Sequence, residues 1–482
     1  MTMPEEQDFA AKKIDWAVWK RLYRYTLQSR GVLAAMILTL LVVSAIDIVY
    51  PLFSSYAIDT FVVPKTTQGV ASFAILYAAT ILLQGACVVT FIIFAGKLEM
   101  RISYTIRQEA FARLQELSFS FYDRTAVCYI MARMVSDIAR LSEMIAWSFV
   151  DILWSLLFSL GCIATMFVLS WKLALIALVV IPSLAYASVR LQKKMLRYQR
   201  EARKQNSRIT GAFNEGIMGA VTTKTLVREE QNAAEFGELT AKMRHVSIKS
   251  ALVSAAFFPI IISLGAVGTG LALTLGGAGV LRPETAFVGA VTAGTLVAFI
   301  SYCTQLFDPI QQLANILAEL LGAQASAERV ITLMDTKPSV TDTPDVLQKY
   351  GVIMNPKPEN WEPIRGDVSF DHVTFRYSGG EQVLEDFSLD VKAGQNIALV
   401  GETGAGKSTI VNLVCRFYEP TEGRIRIDGV DYRDRSQLWL QSNLGYVLQT
   451  PHLFSGTIRD NIRFGRPDAT EEQIRSAARL VH

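Results

Sequence analysis

The sequence predicts an all-α membrane domain of six transmembrane helices with long cytoplasmic extensions, followed by an α/β domain whose C-terminal part is incomplete. Six apolar runs are each long enough to cross about 30 Å of hydrocarbon as a helix. A glycine-rich loop, Gly401–Thr409, lies between an apolar run and a helical pattern near the end of the chain. A chain of 482 residues is also too long for one hydrophobic core.

The composition supports a membrane part averaged with a soluble part. Hydrophobic residues make up 51% and charged residues 19%, against about 25% charged residues in soluble domains. The net charge of +3 gives no reason to expect a nucleic-acid partner. The five cysteines show no metal-site or CxxC spacing, so we expect buried, reduced thiols. The N-terminus begins acidic and has no cleavage site typical of a signal peptide.

Residues 1–30 form the predicted cytoplasmic N-terminus. Within it, residues 12–30 place aromatic and aliphatic side chains on one side and Lys and Arg on the other, which predicts an interfacial helix on an anionic leaflet. The predicted transmembrane domain covers residues 31–333. Its six apolar runs are Gly31–Phe53, Val70–Gly96, Phe149–Ser170, Leu173–Val189, Ala251–Val280 and Thr285–Phe307.

Basic residues are unevenly distributed between the connections. The connections after the second and fourth runs are long and rich in Lys and Arg, whereas the others are short and poor in both. The positive-inside rule therefore predicts a multi-pass protein of the plasma (cell inner) membrane with both termini in the cytoplasm. Residues 97–118 and 190–213 keep a helical period, so the membrane helices should extend into the cytoplasm. Two irregular patches follow, near 119–129 and 213–228, where a soluble part should dock.

Two carboxylates fall at membrane depth. Asp47 lies inside the first apolar run and Asp151 at the inner edge of the third. An intramembrane carboxylate is costly and by default suggests a role on the substrate pathway. Both residues also lie near the ends of their spans, where a side chain reaches water cheaply. A substrate role, with Asp47 the stronger candidate, and a merely interfacial position both remain open.

A helix from Pro309 to about Met334 leads into a linker rich in Pro, Thr, Asn and Asp, at residues 334–365. The α/β domain then covers residues 366–482. Its predicted strands are Val368–Arg376, Val383–Val391, Asn396–Val400, Arg424–Asp428 and Leu444–Leu448, and its later helices are Ile458–Phe464 and residues 470–482.

The loop Gly401–Thr409 has the residues and the context of a phosphate-binding loop. Its glycines let successive backbone N–H groups point at one anion, and the helix that follows adds its positive end. Lys407 can reach the β- and γ-phosphates, and the Ser408 hydroxyl can bind Mg²⁺. The alternative, a glycine-rich turn without a ligand, does not require all of these residues in this order. The sequence therefore predicts a nucleoside triphosphate site formed by Gly401, Glu402, Thr403, Gly404, Ala405, Gly406, Lys407, Ser408 and Thr409.

Membrane spans with cytoplasmic extensions followed by a P-loop NTPase domain resemble the ABC exporter family, in the form of a half-transporter with fused membrane and ATP-binding domains. Tyr377, the last residue of the run Asp371–Tyr377, looks like the family's residue that stacks on adenine. Gly445–Ile458 closely matches the family's Q-loop. The resemblance implies that Gln449 contacts Mg²⁺ and the attacking water, and shares the catalytic role with Lys407. It also implies that the two cytoplasmic patches are coupling helices.

Three features depart from the family's pattern. Ser378–Gln382 looks like the signature motif but precedes the P-loop, and we interpret it as a hairpin turn. No signature motif, Asp-Glu strand end or switch histidine follows the Q-loop. His452 is expected to be structural, and His482 falls too early to be the switch residue. The chain is therefore expected to be an N-terminal fragment, or a truncated product, of a half-transporter, which alone would not complete a transport cycle.

The resemblance implies ATP-driven export of a hydrophobic drug, lipid or peptide by two chains that sandwich two ATP molecules. Its cofactors would be ATP and Mg²⁺, and its partners a second half-transporter chain and membrane lipid. Two alternatives remain: a catalytically degenerate or regulatory half of a heterodimer, and a nucleotide-gated channel or regulator.

Overall fold

A computed structural model describes residues 15–481, except 283, 285, 378, 379, 381 and 449–451. The chain divides into two compact units. The helical unit comprises Met1–Gln115 and Thr125–Lys337, and the α/β unit comprises Glu116–Arg124 and Pro338–His482. The α/β unit thus includes nine residues from within the membrane part of the chain.

The helical unit is dominated by helices far longer than a bilayer is thick. The three longest are α3 (Val70–Glu116), α7 (Trp171–Met218) and α9 (Glu229–Leu281), with 47, 48 and 53 residues. At 1.5 Å per residue each is about 70–80 Å long. The predicted helical extensions over 97–118 and 190–213 are confirmed. The helices are α1 (Trp16–Gln28), α2 (Arg30–Ala57), α3 (Val70–Glu116), α5 (Val127–Ala132), α6 (Ile138–Leu169), α7 (Trp171–Met218), α8 (Ala220–Thr225), α9 (Glu229–Leu281), α10 (Ala293–Gln305) and α11 (Phe307–Asp335), and α4 (Phe119–Arg124) belongs to the α/β unit.

Four helical segments of the described residues are long and apolar enough to cross a membrane. The predicted fourth run lies within α7, and α10 covers most of the later half of the predicted sixth run. The four segments are Arg30–Val62, Val70–Glu116, Val127–Leu169 and Glu229–Leu281.

The two patches predicted to be irregular, near 119–129 and 213–228, are more regular than predicted. The first forms α4 and α5 with a break at Ala126, whose ψ of 140° is extended. The second forms the end of α7 and the short helix α8, with a break at Gly219. Both patches lack proline, so nothing in their sequence prevents short helices.

The N-terminal helix α1 buries one face against other helices of the helical unit. Trp19 and Leu22 are completely buried, and the Trp19 indole Nε1 donates to Gln324 Oε1 at 2.6 Å. This face of α1 therefore packs on protein, and the position of the helix on a leaflet stays a prediction. Trp16 remains 65% exposed. Residues 12–14 of the predicted helix lie outside the described residues.

The cysteine prediction holds in part. All five thiols are free, and Cys162, Cys303 and Cys415 are buried. Cys87 is only partly buried and Cys128 is exposed. Cys128 lies on the short helix α5, which buries only Ile130, so this thiol is not enclosed as expected.

The α/β unit contains a four-stranded antiparallel sheet of order β4-β3-β5-β6, with helix α13 packed near it. The linker predicted at 334–365 contains regular structure: a short helix, Pro344–Tyr350, and a hairpin whose two strands, Gly351–Val352 and Asn355–Pro356, have two residues each. The elements are α12 (Pro344–Tyr350), β1 (Gly351–Val352), β2 (Asn355–Pro356), β3 (Val368–Arg376), β4 (Gln382–Val391), α13 (Lys407–Val414), β5 (Glu422–Ile427), β6 (Val430–Asp431), α14 (Gln437–Ser442), α15 (Ile458–Ile462) and α16 (Glu471–Leu480).

Two predicted strands, Asn396–Val400 and Leu444–Leu448, do not form. Val400 is 92% exposed and Val447 is 95% exposed. Apolar runs of this kind are typical of central strands, which need hydrogen-bonded neighbours and cover on both faces. No described residue pairs with either run, and each therefore stays outside the sheet.

Candidate nucleotide site

The loop before α13 requires glycine at two positions. Gly404 has a φ of +93° and Gly406 a φ of +85°, a left-handed conformation that side chains rarely adopt. A Cβ at Gly406 would also lie 3.1 Å from Leu384 Cδ2 and 3.2 Å from Val383 Cγ1. At Gly406 the loop therefore passes close to β4, where a side chain would need its neighbours to shift, and positive φ favours glycine at both positions.

Helix α13 begins at Lys407 without a side-chain cap. Its N-cap residue is Gly406, which has no side chain that could accept from the first N–H groups of the helix. The first turn of a helix leaves N–H groups without intrahelical partners, and the helix dipole adds positive potential there. The loop and the start of α13 thus present donors to an anion.

The Lys407 ammonium lies against the loop itself. Its Nζ donates to the carbonyl oxygens of Gly401 at 2.7 Å and Glu402 at 2.6 Å. Within the described residues, Lys407 forms no ion pair with a carboxylate. Its positive charge is therefore held at the loop by neutral carbonyls and stays available to an anionic ligand.

Tyr377 lies beside the same helix. Its hydroxyl oxygen is 3.1 Å from the hydroxyl oxygen of the buried Thr409. Its ring stands nearly perpendicular to the rings of Phe375, at 4.8 Å, and Tyr418, at 5.1 Å. The structure thus brings the predicted adenine-stacking residue to the P-loop helix, although the two are 32 residues apart in sequence.

The remaining predicted residues have fewer described contacts with the loop and α13. The side chain of Ser408 is exposed at the first turn of α13, where a hydroxyl is accessible to a metal ion. Gln449 lies outside the described residues, as do three residues of the predicted turn at 378–382. His452 packs its ring at 4.9 Å from Phe454.

Helix α4 packs within the α/β unit beside this site. Phe119 stacks on Phe417 with ring centroids 4.1 Å apart, and the Tyr418 hydroxyl donates to the Asp123 carboxylate. Burial, and then the hydrogen bond to Asp123, raises the pKa of the Tyr418 phenol above its ordinary value. Because Tyr418 also contacts Tyr377, a continuous set of contacts leads from α4 to the predicted adenine-binding residue.

A cavity of about 400 Å³ separates α4 from the end of β3. It is lined by both polar and aromatic side chains. They include Asp123, Arg124, Arg376, Tyr377, Tyr418 and Glu419.

Arg416 fixes the end of α13 and was missed by the sequence analysis. Its side chain is 1% exposed and pairs with Asp342 at 2.7 Å and Glu419 at 2.9 Å. The guanidinium also donates to the carbonyl oxygens of Tyr432 and Arg435. The only signal in the sequence is an arginine directly after an apolar helix, which does not identify its partners.

A metal ion at this site would depend on ligands beyond the protein's carboxylates. Among the described residues no group of three or more His, Cys, Asp or Glu side chains is placed to hold a metal. Mg²⁺ in proteins is often held by one or two side chains together with phosphate oxygens and waters. The exposed Ser408 hydroxyl next to a phosphate-binding loop fits that arrangement.

Two family models match this chain. Residues 33–310 match the model of the ABC transporter transmembrane region, and residues 384–482 match a second model, described as "ABC transporter". An uncharacterized ABC transporter ATP-binding protein of Bacillus subtilis, YknV, is 31% identical over 98% of this chain and 75% of its own length.

Two further relatives have names that state an activity. An ATP-dependent lipid A-core flippase of Desulfotalea psychrophila is 27% identical over 96% of this chain and 78% of its own length. A multidrug efflux ATP-binding/permease protein of Mycobacterium bovis is 30% identical over 96% of this chain and 37% of its own length. The chain therefore belongs to the ABC transporter family, as an exporter-type half-transporter that joins a helical membrane domain to an ATP-hydrolysing domain.

Proposed function

We propose that this chain is one half of a dimeric ABC exporter that carries a hydrophobic or amphipathic substrate across the plasma membrane at the expense of ATP. The observation that carries the proposal is the P-loop, where the Lys407 ammonium lies on the loop carbonyls at the uncapped start of α13. Tyr377 supports it further, because its hydroxyl reaches Thr409 on the same helix.

The site residues have distinct roles in this proposal. The backbone of Gly401–Thr409 binds the phosphates, Lys407 neutralises the charge on the β- and γ-phosphates, and Tyr377 stacks on the adenine. Ser408 and Gln449 hold Mg²⁺, which supplies further charge neutralisation when bound. The family's signature motif, catalytic carboxylate and switch histidine do not occur among the 482 residues. These residues therefore account for the adenine and phosphate side of one ATP site only.

The membrane half in this proposal has six transmembrane helices with both termini in the cytoplasm. The domain boundaries are those predicted: an N-terminus to residue 30, a transmembrane domain to 333, a linker to 365 and a nucleotide-binding domain from 366. The basic connections after the second and fourth runs support the orientation. The patches near 119–129 and 213–228 act as the coupling regions, and the packing of Phe119 on Phe417 supports this for the first.

Exposed apolar side chains of the membrane part and the names of two relatives support the proposed substrate class. Large apolar side chains of α2 and α3, such as Leu38, Ile75 and Leu82, are exposed. Two relatives are named for lipid A-core flipping and multidrug efflux. Both names fit a lipid-like or apolar substrate better than a small polar solute.

The test is ATP-dependent uptake of a fluorescent phospholipid analogue and of a fluorescent amphiphilic dye by inside-out vesicles that contain the transporter. Vesicles with Lys407→Ala are the comparison, and Lys392→Ala, an exposed lysine of the same unit, is the control. We expect uptake above the equilibrium level with the unaltered protein and the control, and none with Lys407→Ala. Uptake that stops at equilibrium would favour the gated channel. ATP binding without hydrolysis in the complete transporter would favour the degenerate half.

A further inference from the structure

Asp47 of α2 holds its carboxylate between three helices. Gln84 of α3 donates through Nε2 to Asp47 Oδ1 at 2.6 Å, and Trp154 of α6 donates through Nε1 to Oδ2 at 3.3 Å. Both donors are neutral groups. The carboxylate is therefore oriented by hydrogen bonds that do not compensate its charge.

No cation of the described chain pairs with Asp47. The nearest basic residues along the three helices are Arg30 on α2, Lys97 on α3 and Arg140 on α6. They are 13 residues or more from Asp47, Gln84 and Trp154 respectively, which is about 20 Å or more along a helix. Helix α10, which also packs on α2, carries no Lys or Arg.

An unpaired carboxylate in a membrane segment is costly and is retained where it serves a ligand or a transported ion. Asp59, at the end of the same helical segment, illustrates the alternative. Its oxygens accept from the Thr292 hydroxyl at 2.6 Å and from the Gly294 N–H at 2.8 Å. Asp59 therefore caps the start of α10, a structural role that Asp47 does not have, since both donors to Asp47 are side chains from the middle of helices.

Aromatic side chains contact the two groups that donate to this carboxylate. The Trp154 indole stacks on Phe158 with centroids 5.3 Å apart, and the Tyr50 hydroxyl donates to Gln84 Oε1. Tyr50 in turn packs on Tyr77 at 5.7 Å. Rings of this kind attract a cation through their faces and bury apolar groups beside it. Asp47 is only partly buried, so its surroundings do not close it off from a ligand.

We propose that Asp47, supported by Gln84 and Trp154, binds the positively charged group of a cationic amphiphile, such as a quaternary ammonium or phosphonium ion with an apolar body. The inference rests on the proposed export function and names a substrate class for it. The carboxylate supplies the counter-charge, the hydrogen bonds from Gln84 and Trp154 hold it in place, and the neighbouring rings accommodate the apolar groups.

The experiment measures equilibrium binding of radiolabelled tetraphenylphosphonium to the purified transporter in detergent, without nucleotide. Neutral triphenylphosphine oxide, which has the same aryl groups, is the matched probe. We expect Asp47→Asn to weaken phosphonium binding by about tenfold or more, because the counter-charge is removed. Binding of the neutral probe should change less than about threefold, and Asp47→Glu should restore most of the phosphonium affinity.

Asp151→Asn is the control variant. It removes a different membrane carboxylate, that of Asp151 on α6, and should keep phosphonium binding. Equal phosphonium affinity of Asp47→Asn and the unaltered protein would overturn the proposal, as would an equal loss of both probes. Absence of phosphonium binding to the unaltered protein at millimolar concentration would also overturn it. A wrong export proposal would show itself in a different measurement, as the absence of ATP-driven uptake of every probe. The binding measured here needs no ATP and is independent of that result.

Discussion

The hydroxyl oxygens of Tyr377 and Thr409 lie 3.1 Å apart, and this contact joins the two sequence segments that we assign to the nucleotide site. Thr409 is the last residue of the phosphate-binding loop and is buried in α13. Tyr377 follows β3, and its ring also contacts the ring of Tyr418. The Tyr418 hydroxyl in turn donates to the Asp123 carboxylate of α4. A ligand that moves the Tyr377 ring therefore acts on both the P-loop helix and the α4 contact.

Replacement of Tyr377 separates stacking from hydrogen bonding. We expect Tyr377→Ala to weaken ATP binding by about 1–3 kcal/mol, the range found for stacking of a base on an aromatic side chain. Tyr377→Phe should lose far less, because the ring remains and only the bond to Thr409 is removed. Titration with a fluorescent ATP analogue measures both. GTP should be affected in the same order, and equal affinity of Tyr377→Ala and the unaltered protein would exclude the adenine-stacking role.

The buried ion pair of Arg416 and Asp342 should control the stability of the α/β unit. Arg416→Met leaves the Asp342 carboxylate without its charged partner in a site where it is 10% exposed. Removing one partner of a buried pair typically costs about 3–5 kcal/mol. Chemical denaturation followed by fluorescence of the fully buried Trp439 measures the free energy of unfolding.

Arg426→Ala is the matched control for this prediction. Arg426 pairs with Asp371 at 3.2 Å, and both side chains are more than 40% exposed. An exposed pair contributes about 0–1 kcal/mol. A loss for Arg416→Met no larger than that for Arg426→Ala would mean that the buried pair is not structurally important.

The sequence predicted local structure better than it predicted tertiary partners. The glycine loop and α13 follow from residues adjacent in sequence: Gly404 and Gly406 have positive φ, and Lys407 begins the helix. The phosphate-binding role of the loop stays a prediction. Asn396–Val400 has the same local character as a buried strand, yet it forms no strand, because strand formation depends on a neighbour elsewhere in the chain. The partners of Arg416 and the packing of α4 are likewise long-range, and no local pattern encodes them.

Asp428 should make the stability of the α/β unit depend on pH. Burial alone would raise the pKa of its carboxyl, but hydrogen bonds from the backbone N–H groups of Arg365, Asp367 and Gly366 outweigh it and hold the pKa below its ordinary value. A lowered pKa contributes stability above the ordinary carboxyl pKa of about 4. That contribution is lost as the pH falls through the pKa of the folded state.

Asp428→Asn tests this dependence. The substitution keeps a residue that tolerates the positive φ of 52° at this position, but it removes the charge. We expect a loss of about 1–2 kcal/mol at pH 7 that shrinks below about pH 4. Thermal unfolding from pH 7 to pH 3 measures it, with the exposed Glu472→Gln as control. A loss that is the same at pH 7 and pH 3 would refute the role of the charge.

Cys128 tests the proposed topology. It is exposed on α5 and lies in the connection that the basic residues place in the cytoplasm. A variant that keeps only Cys128 should be labelled by an impermeant thiol reagent in inside-out vesicles and not in intact cells. A variant whose only cysteine is Thr66→Cys, between α2 and α3, should show the reverse. Labelling of Cys128 in intact cells and not in inside-out vesicles would mean that the topology is the reverse of the one proposed.

The measurement that tests the central claim most directly is the affinity of the purified protein for Mg-ATP with Lys407→Ala. Lys407 is held at the P-loop by carbonyl oxygens of Gly401 and Glu402, and we assign its charge to the phosphates. Isothermal titration should show ATP binding weakened by at least about tenfold, since the charge-assisted contacts with the phosphates are lost. Lys392→Ala should bind ATP as the unaltered protein does. Unchanged affinity of Lys407→Ala would contradict the assignment of Gly401–Thr409 as the nucleotide site.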